Sequence, residues 1–183
     1  TLQFRNMVIF AVNTGVRHGE LSALAWEDVD TINWTVTVSR NYSLKGNFTL
    51  PKTTSGIRTI QLTKPAIDAL KEQMALTRMM KSHHINVSLR EYKKQRPDEC
   101  TFIFSPSVTS MNGKKTMCYV PGSINSAWRS ILRRAGIRHR RAYETRHTFA
   151  CWALAAGANP DFGAHQMGHS SAQMLYSVCG RWM

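Results

Sequence analysis

This sequence predicts a mainly α-helical domain with a small antiparallel β-sheet on one side, and three observations predict it. Apolar residues recur at helical spacing through most of the chain. Runs that alternate apolar with hydroxyl-bearing residues cluster early. The 183 residues are 43% hydrophobic and 19% charged, a balance that suits one folded domain with its own core and excludes a disordered chain.

Residues 2–13 place Phe4, Met7, Val8, Phe10 and Ala11 at helical spacing, and Thr14-Gly15 closes the run. A second short helix spans 20–26, with Leu21 and Leu24 facing inward. Between them lies T-G-V-R-H-G-E, which puts Arg17 at a helix junction where Glu20 can hold its guanidinium. Then the period changes. Residues 35–39 alternate Val36 and Val38 with hydroxyls, a strand signal. Residues 48–50 and 58–62 read as two further strands, joined into a hairpin by the P-K-T-T-S-G turn. Lys52 stands at the edge of that hairpin, where it can reach outward, and Arg58 follows across the turn.

Lys64-Pro65 opens a helix that carries Ile67, Leu70, Met74 and Leu76. Residues 81–99 are polar and basic and read as a solvated loop or surface helix. Residues 101–104 read as a short buried strand, and 111–119 as a polar turn with Lys114 and Lys115. Residues 122–135 form a helix with Ile124, Trp128, Ile131 and Leu132 on one stripe, stopped by Gly136. The cationic run R-H-R-R follows. A helix over 144–156 ends at Gly157, Asn159-Pro160 caps the next over 161–167, and Ser170 or Ser171 caps a last one.

Twenty-four Lys and Arg against eleven Asp and Glu leave a net charge of +13, a field that favours polyanions. Nucleic acid is the commonest large polyanion, but a membrane surface or a ribosomal partner fits the charge equally well. The four cysteines are widely spaced with no C-x-x-C, which speaks against a zinc knuckle or a redox motif and for reduced thiols in a cytosolic chain. No run approaches the roughly 18 apolar residues of a membrane span, and no signal peptide is expected. The chain starts at Thr1 inside a helical pattern and stops at Met183 without a polar tail, as a fragment of a longer protein would.

The chemistry candidates are cations, histidines and two nucleophiles. Arg17, Lys52 and Arg146 lie on three elements, each beside a turn or helix start. Converged on one phosphate, they would stabilise the extra charge of a phosphoryl-transfer transition state; singly, each is an ordinary surface charge. His169, in Q-M-G-H-S-S, can donate to a phosphate oxygen or move a proton, or it can be a buried histidine bonded to a carbonyl. His147 follows Arg146 but points about 100° away around the helix, which suits a structural role. His83-His84 and His165 fit no metal-ligand spacing, so no metal site is expected. Tyr176 and Cys179 are three apart on the last helix and either could attack phosphorus.

Five motifs, in order along nearly the whole chain, resemble those of the tyrosine recombinases, the phage integrase family. T-G-V-R-H-G-E-L-S-A-L-A-W-E-D-V-D resembles the first arginine box, and P-K-T-T-S-G-I-R-T-I the lysine segment. Y-E-T-R-H-T-F-A, A-N-P and Q-M-G-H-S-S-A-Q-M resemble the second box as phage and genomic-island integrases carry it. The resemblance implies a catalytic domain that cuts and rejoins DNA without metal, ATP or other cofactor. Arg17 and Arg146 would clamp the scissile phosphate, Lys52 would protonate the leaving 5′ oxygen, His169 would bond a non-bridging oxygen, and Glu20 would support the arginine side. Tyr143 stands where many relatives have the first histidine of H-x-x-R.

The nucleophile departs from the family. The position ten after His169, within V-C-G-R-W, holds Cys179, while Tyr176 stands only seven after. A thiol ionises more readily than a phenol, with reference pKa about 8.5 against about 10, but it is softer and sits back from the phosphorus. The expectation is a chain deficient in strand cleavage that keeps DNA binding. The resemblance further implies double-stranded DNA as partner and a homo-tetramer on paired sites in the full-length protein. It also implies DNA-bending or directionality accessory proteins and a cytoplasmic, nucleoid-associated place in a bacterial host. Residues 1–183 would be one C-terminal catalytic domain, without the core-binding and arm-binding domains that precede it in the family. Two other readings remain: a DNA-binding module without chemistry, and a type IB topoisomerase-like core.

Overall fold

The structure, a computed structural model, describes residues 1–106 and 116–179, with Val178 and Cys179 described as backbone only. Helix α1 (Leu2–Thr14) opens with the Thr1 side chain as cap and ends at Gly15, whose φ of 64° places it in the left-handed region. Helix α2 (His18–Ala23) follows after a three-residue junction. Five short strands come next: β1 (Val29–Asp30), β2 (Thr35–Val38), β3 (Asn41–Tyr42), β4 (Phe48–Thr49) and β5 (Arg58–Gln61). Helix α3 (Lys64–Thr77), with Pro65 in its first turn, packs along α1. Strands β6 (His83–Ser88) and β7 (Gln95–Cys100) precede helices α4 (Pro121–Arg134), α5 (Glu144–Ala155), α6 (Pro160–Met167) and α7 (Gln173–Cys179). The mainly α class with small sheet elements is as expected.

The strands form two sheets. One is antiparallel, in the order β1-β2-β5; the other runs β3-β4-β6-β7, with β4 and β6 parallel and its other pairs antiparallel. Two expectations are thereby corrected. Strands β4 and β5 do not make a hairpin: β5 pairs with β2 (Val38 opposite Arg58), while β4 pairs with β3 and β6. Residues 81–99 are not a solvated loop, because β6 and β7 pair over six residues each, from His83–Cys100 to Ser88–Gln95. Ile85 and Val87 face the core while His84 and Asn86 face out, the period of a half-buried strand.

Residues 101–105 are buried as expected, but their strand pairing is limited to one antiparallel bridge, Phe102 opposite Ala25, and side chains satisfy much of the rest. Gln73 Nε2 and Thr77 Oγ1 donate to the Ile103 carbonyl at 2.9 and 2.7 Å, and Gln3 Oε1 accepts from the Ser105 amide at 3.0 Å. The expected turn at 111–119 lies largely outside the described residues. The main core joins Phe4, Met7 and Phe10 of α1, Leu70 of α3, Val36, Val38 and Ile60 of the first sheet, and Phe104. A smaller cluster, Ala150, Met167 and Leu175, ties α5, α6 and α7 together. The candidate site residues sit where these two cores meet. Among the described residues no helix is long and apolar enough to cross a membrane.

Candidate active site

Arg17 sits at the start of α2 in extended conformation, and Glu20 holds it twice, accepting from its amide at 2.9 Å and from Nη1 at 2.7 Å. Arg17 Nη2 then donates to the Gly168 carbonyl, 3.2 Å away and 151 residues along the chain. Glu20 is itself buried, and its other partner is Arg58, which grips both carboxylate oxygens at 3.2 and 3.0 Å. Burial opposes ionisation of Glu20, but the Arg58 and Arg17 guanidiniums outweigh it and lower its pKa.

Arg146, in the first turn of α5, is 2% exposed and bonds no carboxylate. It donates to the Gly15 carbonyl beyond the end of α1 and, at 2.6 Å, to the Met167 carbonyl at the end of α6. Carbonyls at two helix C-termini are the partially negative groups that make such a burial tolerable. Its Nη2 also lies 2.7 Å from His169 Nε2. A guanidinium only donates, so Nε2 accepts and the imidazole proton is on Nδ1. Nδ1 is buried and has no partner among the described residues.

Burial and then the neighbouring charge of Arg17 bring Arg146 down to about 10, so it stays protonated at neutral pH. Burial, with Arg146, Arg17 and Arg58 adding to it, pushes His169 down to about 4, so its ring is neutral there. Three guanidiniums therefore surround one carboxylate: +3 and −1 leave +2 at one place. An oxyanion is the ligand such a surplus suits, and a dianionic transition state suits it better still.

The other sequence candidates are placed less closely. Lys52 is exposed in the bend ahead of the Thr54–Gly56 turn and bonds none of the three site residues above. Arg90 steadies that bend, donating to Thr54 Oγ1 at 2.9 Å and to the Pro51 carbonyl at 3.4 Å. Tyr143 precedes α5, partly exposed, with its ring edge-on to His18 and His147 at 5.9 and 5.5 Å between centroids. Cys179 is the last residue of α7, and its side chain lies outside the described residues. Tyr176 is 52% exposed on the same helix. No cluster of metal-binding side chains occurs among the described residues.

Beside Arg17 opens a cleft of about 580 Å³ whose lining includes Tyr42, Trp128 and Tyr143 together with Arg129, Arg140 and Arg141. Aromatic faces among basic side chains suit a nucleic-acid strand. Sequence reasoning did not single out Arg58. Its signal was present, because Arg58 and Ile60 share one face of a strand, and a cation on an inward face needs a partner.

Known proteins resemble this chain in sequence and in fold. Residues 1–178 match the phage integrase family, so the chain belongs to that family of tyrosine recombinases. Two Escherichia coli (strain K12) proteins align over 99% of it: the "defective protein IntQ", 50% identical, and the prophage integrase IntR, 49% identical. The chain spans 46% and 44% of their lengths, less than half of each. Among solved structures, the Tn1549 transposon integrase in complex with circular intermediate DNA shares the fold with a TM-score of 0.70 and 22% identity, over 94% of this chain and 54% of that one.

Proposed function

We propose that this chain is the catalytic domain of a site-specific recombinase that integrates or excises a mobile element. With a tyrosine at the nucleophile position, such a domain would cut and rejoin duplex DNA by transesterification through a 3′-phosphoprotein intermediate. One observation carries the reading: Arg17, Arg146 and His169 come from three separate elements and meet within hydrogen-bond distance of the Met167–His169 segment. A module that only binds DNA needs no buried guanidinium joined to a neutral histidine.

In this reading Arg17 and Arg146 take the two non-bridging oxygens of the scissile phosphate, displacing the carbonyls they now hold. His169 bonds one of those oxygens through an N–H, and incoming phosphate charge offsets the cations that keep its ring neutral. Lys52, on an exposed bend, gives its proton to the leaving 5′ oxygen as the nucleophile's bond to phosphorus forms and the P–O5′ bond breaks, the nucleophile's own proton passing to solvent. The 5′ hydroxyl of a partner strand later attacks the phosphoprotein bond and returns the nucleophile. The basic, aromatic-lined cleft beside Arg17 would take the strand flanking that phosphate. Double-stranded DNA is then the substrate. The family suggests a tetramer on paired sites for the full-length protein, with DNA-bending or directionality proteins as helpers and preceding domains to close around the duplex.

Cys179 holds the nucleophile position, and a thiol there is too short and too soft to replace a phenol. The chain itself should bind DNA and form no covalent adduct. The test is a nicked suicide duplex with a randomised core, resolved on a denaturing gel. Cys179→Tyr should produce a protein–DNA adduct, and adding Tyr176→Phe should leave it intact. An adduct formed by the unaltered chain would refute the deficiency. Its absence from Cys179→Tyr would refute the enzyme reading.

A further inference from the structure

Arg58 is fully buried, touches no solvent and cannot reach a phosphate, yet its guanidinium bonds three segments of the site. Nε donates to the Gln166 carbonyl at 2.7 Å, Nη1 to the Gly56 carbonyl at 2.9 Å, and both terminal nitrogens to Glu20. Glu20 orients Arg17. Gly56 closes the turn that begins beside Lys52, and Gln166 lies three residues before His169. We propose that Arg58 is a positioning residue for DNA cleavage: it sets the pose of Arg17 through Glu20 and fixes the two backbone segments that carry Lys52 and His169. The proposal rests on the reading of those residues as the phosphate-handling group.

Two further observations support it. Gly168 lies directly against Arg58: a Cβ there would stand 2.8 Å from Nη1 and 3.0 Å from Cζ, and the residue's φ of 67° is left-handed. Arg58 therefore backs the same peptide whose carbonyl Arg17 holds. The glycine of Q-M-G-H is thus required by contact as well as by conformation. Stability alone also explains a buried ion pair poorly, because well-packed hydrophobic residues of similar volume usually stabilise as much. What hydrocarbon cannot supply is a rigid fork with separate donors for a carboxylate and two carbonyls. Lysine cannot supply it either, since its donors radiate from one nitrogen.

The experiment measures single-turnover adduct formation in the Cys179→Tyr chain at saturating suicide duplex, with and without Arg58→Lys. Duplex affinity and the melting transition are followed in parallel. Arg58→Lys should slow the rate constant at least about tenfold while affinity stays within about threefold, the signature of an interaction that matters in the transition state. A merely structural role would lower the amplitude with the folded fraction and leave the rate constant of the folded molecules unchanged. Combined with Glu20→Gln, the losses should fall well short of additive, because both act through Arg17. If Arg58→Lys does not fold, Glu20→Met with Arg58→Met removes the pair without leaving a lone buried charge and should fold with the same slow rate constant. A rate constant within about twofold of the parent, in whichever variant folds, overturns the role of Arg58 alone. A Cys179→Tyr parent that forms no adduct overturns the enzyme reading, and this proposal with it.

Discussion

Two buried arginine groups lie on either side of α2, and they differ in charge balance. On the side away from the site, Arg40 bonds Asp28 and Asp98, and Asp98 is also held by Arg96 at 2.9 and 3.0 Å. Two arginines and two aspartates cancel. The aspartates respond differently. Burial raises Asp28 despite Arg40, whereas at Asp98 burial is outweighed by Arg96 and Arg40 and the pKa falls. On the other side two arginines, Arg17 and Arg58, share one glutamate, while a third, Arg146, leans on helix-end carbonyls instead of a carboxylate. A neutral group has no need of a ligand. A group left at +2 with one neutral imidazole within it is incomplete until an anion arrives. The charge ratio, more than burial, separates the group that joins elements from the group proposed to handle a phosphate.

The difference can be broken from either side. The largest effect should come from Arg40→Met, which strands the buried Asp28 while Arg96 still holds Asp98, and should cost about 3 kcal/mol in urea unfolding. In the Cys179→Tyr background the adduct rate constant of the folded molecules should not change. A rate loss would mean that the balanced group also serves the reaction. Arg146→Lys should do the reverse, lowering the adduct rate about 10²- to 10³-fold for loss of a preorganised fork, with a smaller change in stability. Equal losses in rate and stability would erase the distinction.

A pH titration sharpens the comparison further. The unfolded imidazole of His169 takes a proton near pH 6.5, while the folded one refuses it until about 4. Its contribution is therefore complete above about pH 6.5 and is lost as pH falls towards 4, a loss of about 1–3 kcal/mol. Urea midpoints across that window should fall less steeply in His169→Asn. Part of the slope should remain, because burial also lowers His18. A curve unchanged by His169→Asn would mean that the ring is not held neutral by its setting. Tyr143→Phe should matter least. The ring contacts with His18 and His147 survive, and the adduct rate should fall by less than about threefold, under roughly 0.7 kcal/mol.

The helical half of the fold was legible because its signals are local. The apolar spacing of α1 and α3, Gly15 after α1, and Asn159-Pro160 before α6 all act within one turn of the helix they mark. The sheets were less legible because pairing is not local. The P-K-T-T-S-G segment looks like a hairpin turn, but it carries the chain from one sheet to the other. Strand β7, Q-R-P-D-E-C, is an edge strand with Pro97 and outward charges, a composition that blunts edges and so reads as a loop. Its partner was readable, since Ile85 and Val87 alternate with polar residues. Arg17, Arg146, His169 and Glu20 came from motifs, while their meeting required the fold. Arg58 escaped because a buried cation two residues from Ile60 resembles a surface charge unless strand phase is followed.

The Arg17 to Gly168 bond has a consequence for how the protein is made. The first half of the clamp is translated almost at the start of this chain. The carbonyls of Met167 and Gly168 and the ring of His169 come close to its end. A growing chain can build α1, α2 and the first sheet, with Arg17 already held by Glu20, long before Arg146 or the Gly168 carbonyl exists. The group of three guanidiniums and one imidazole is thus withheld from nascent and prematurely terminated copies, and it assembles only when nearly all of this domain has been synthesised and folded.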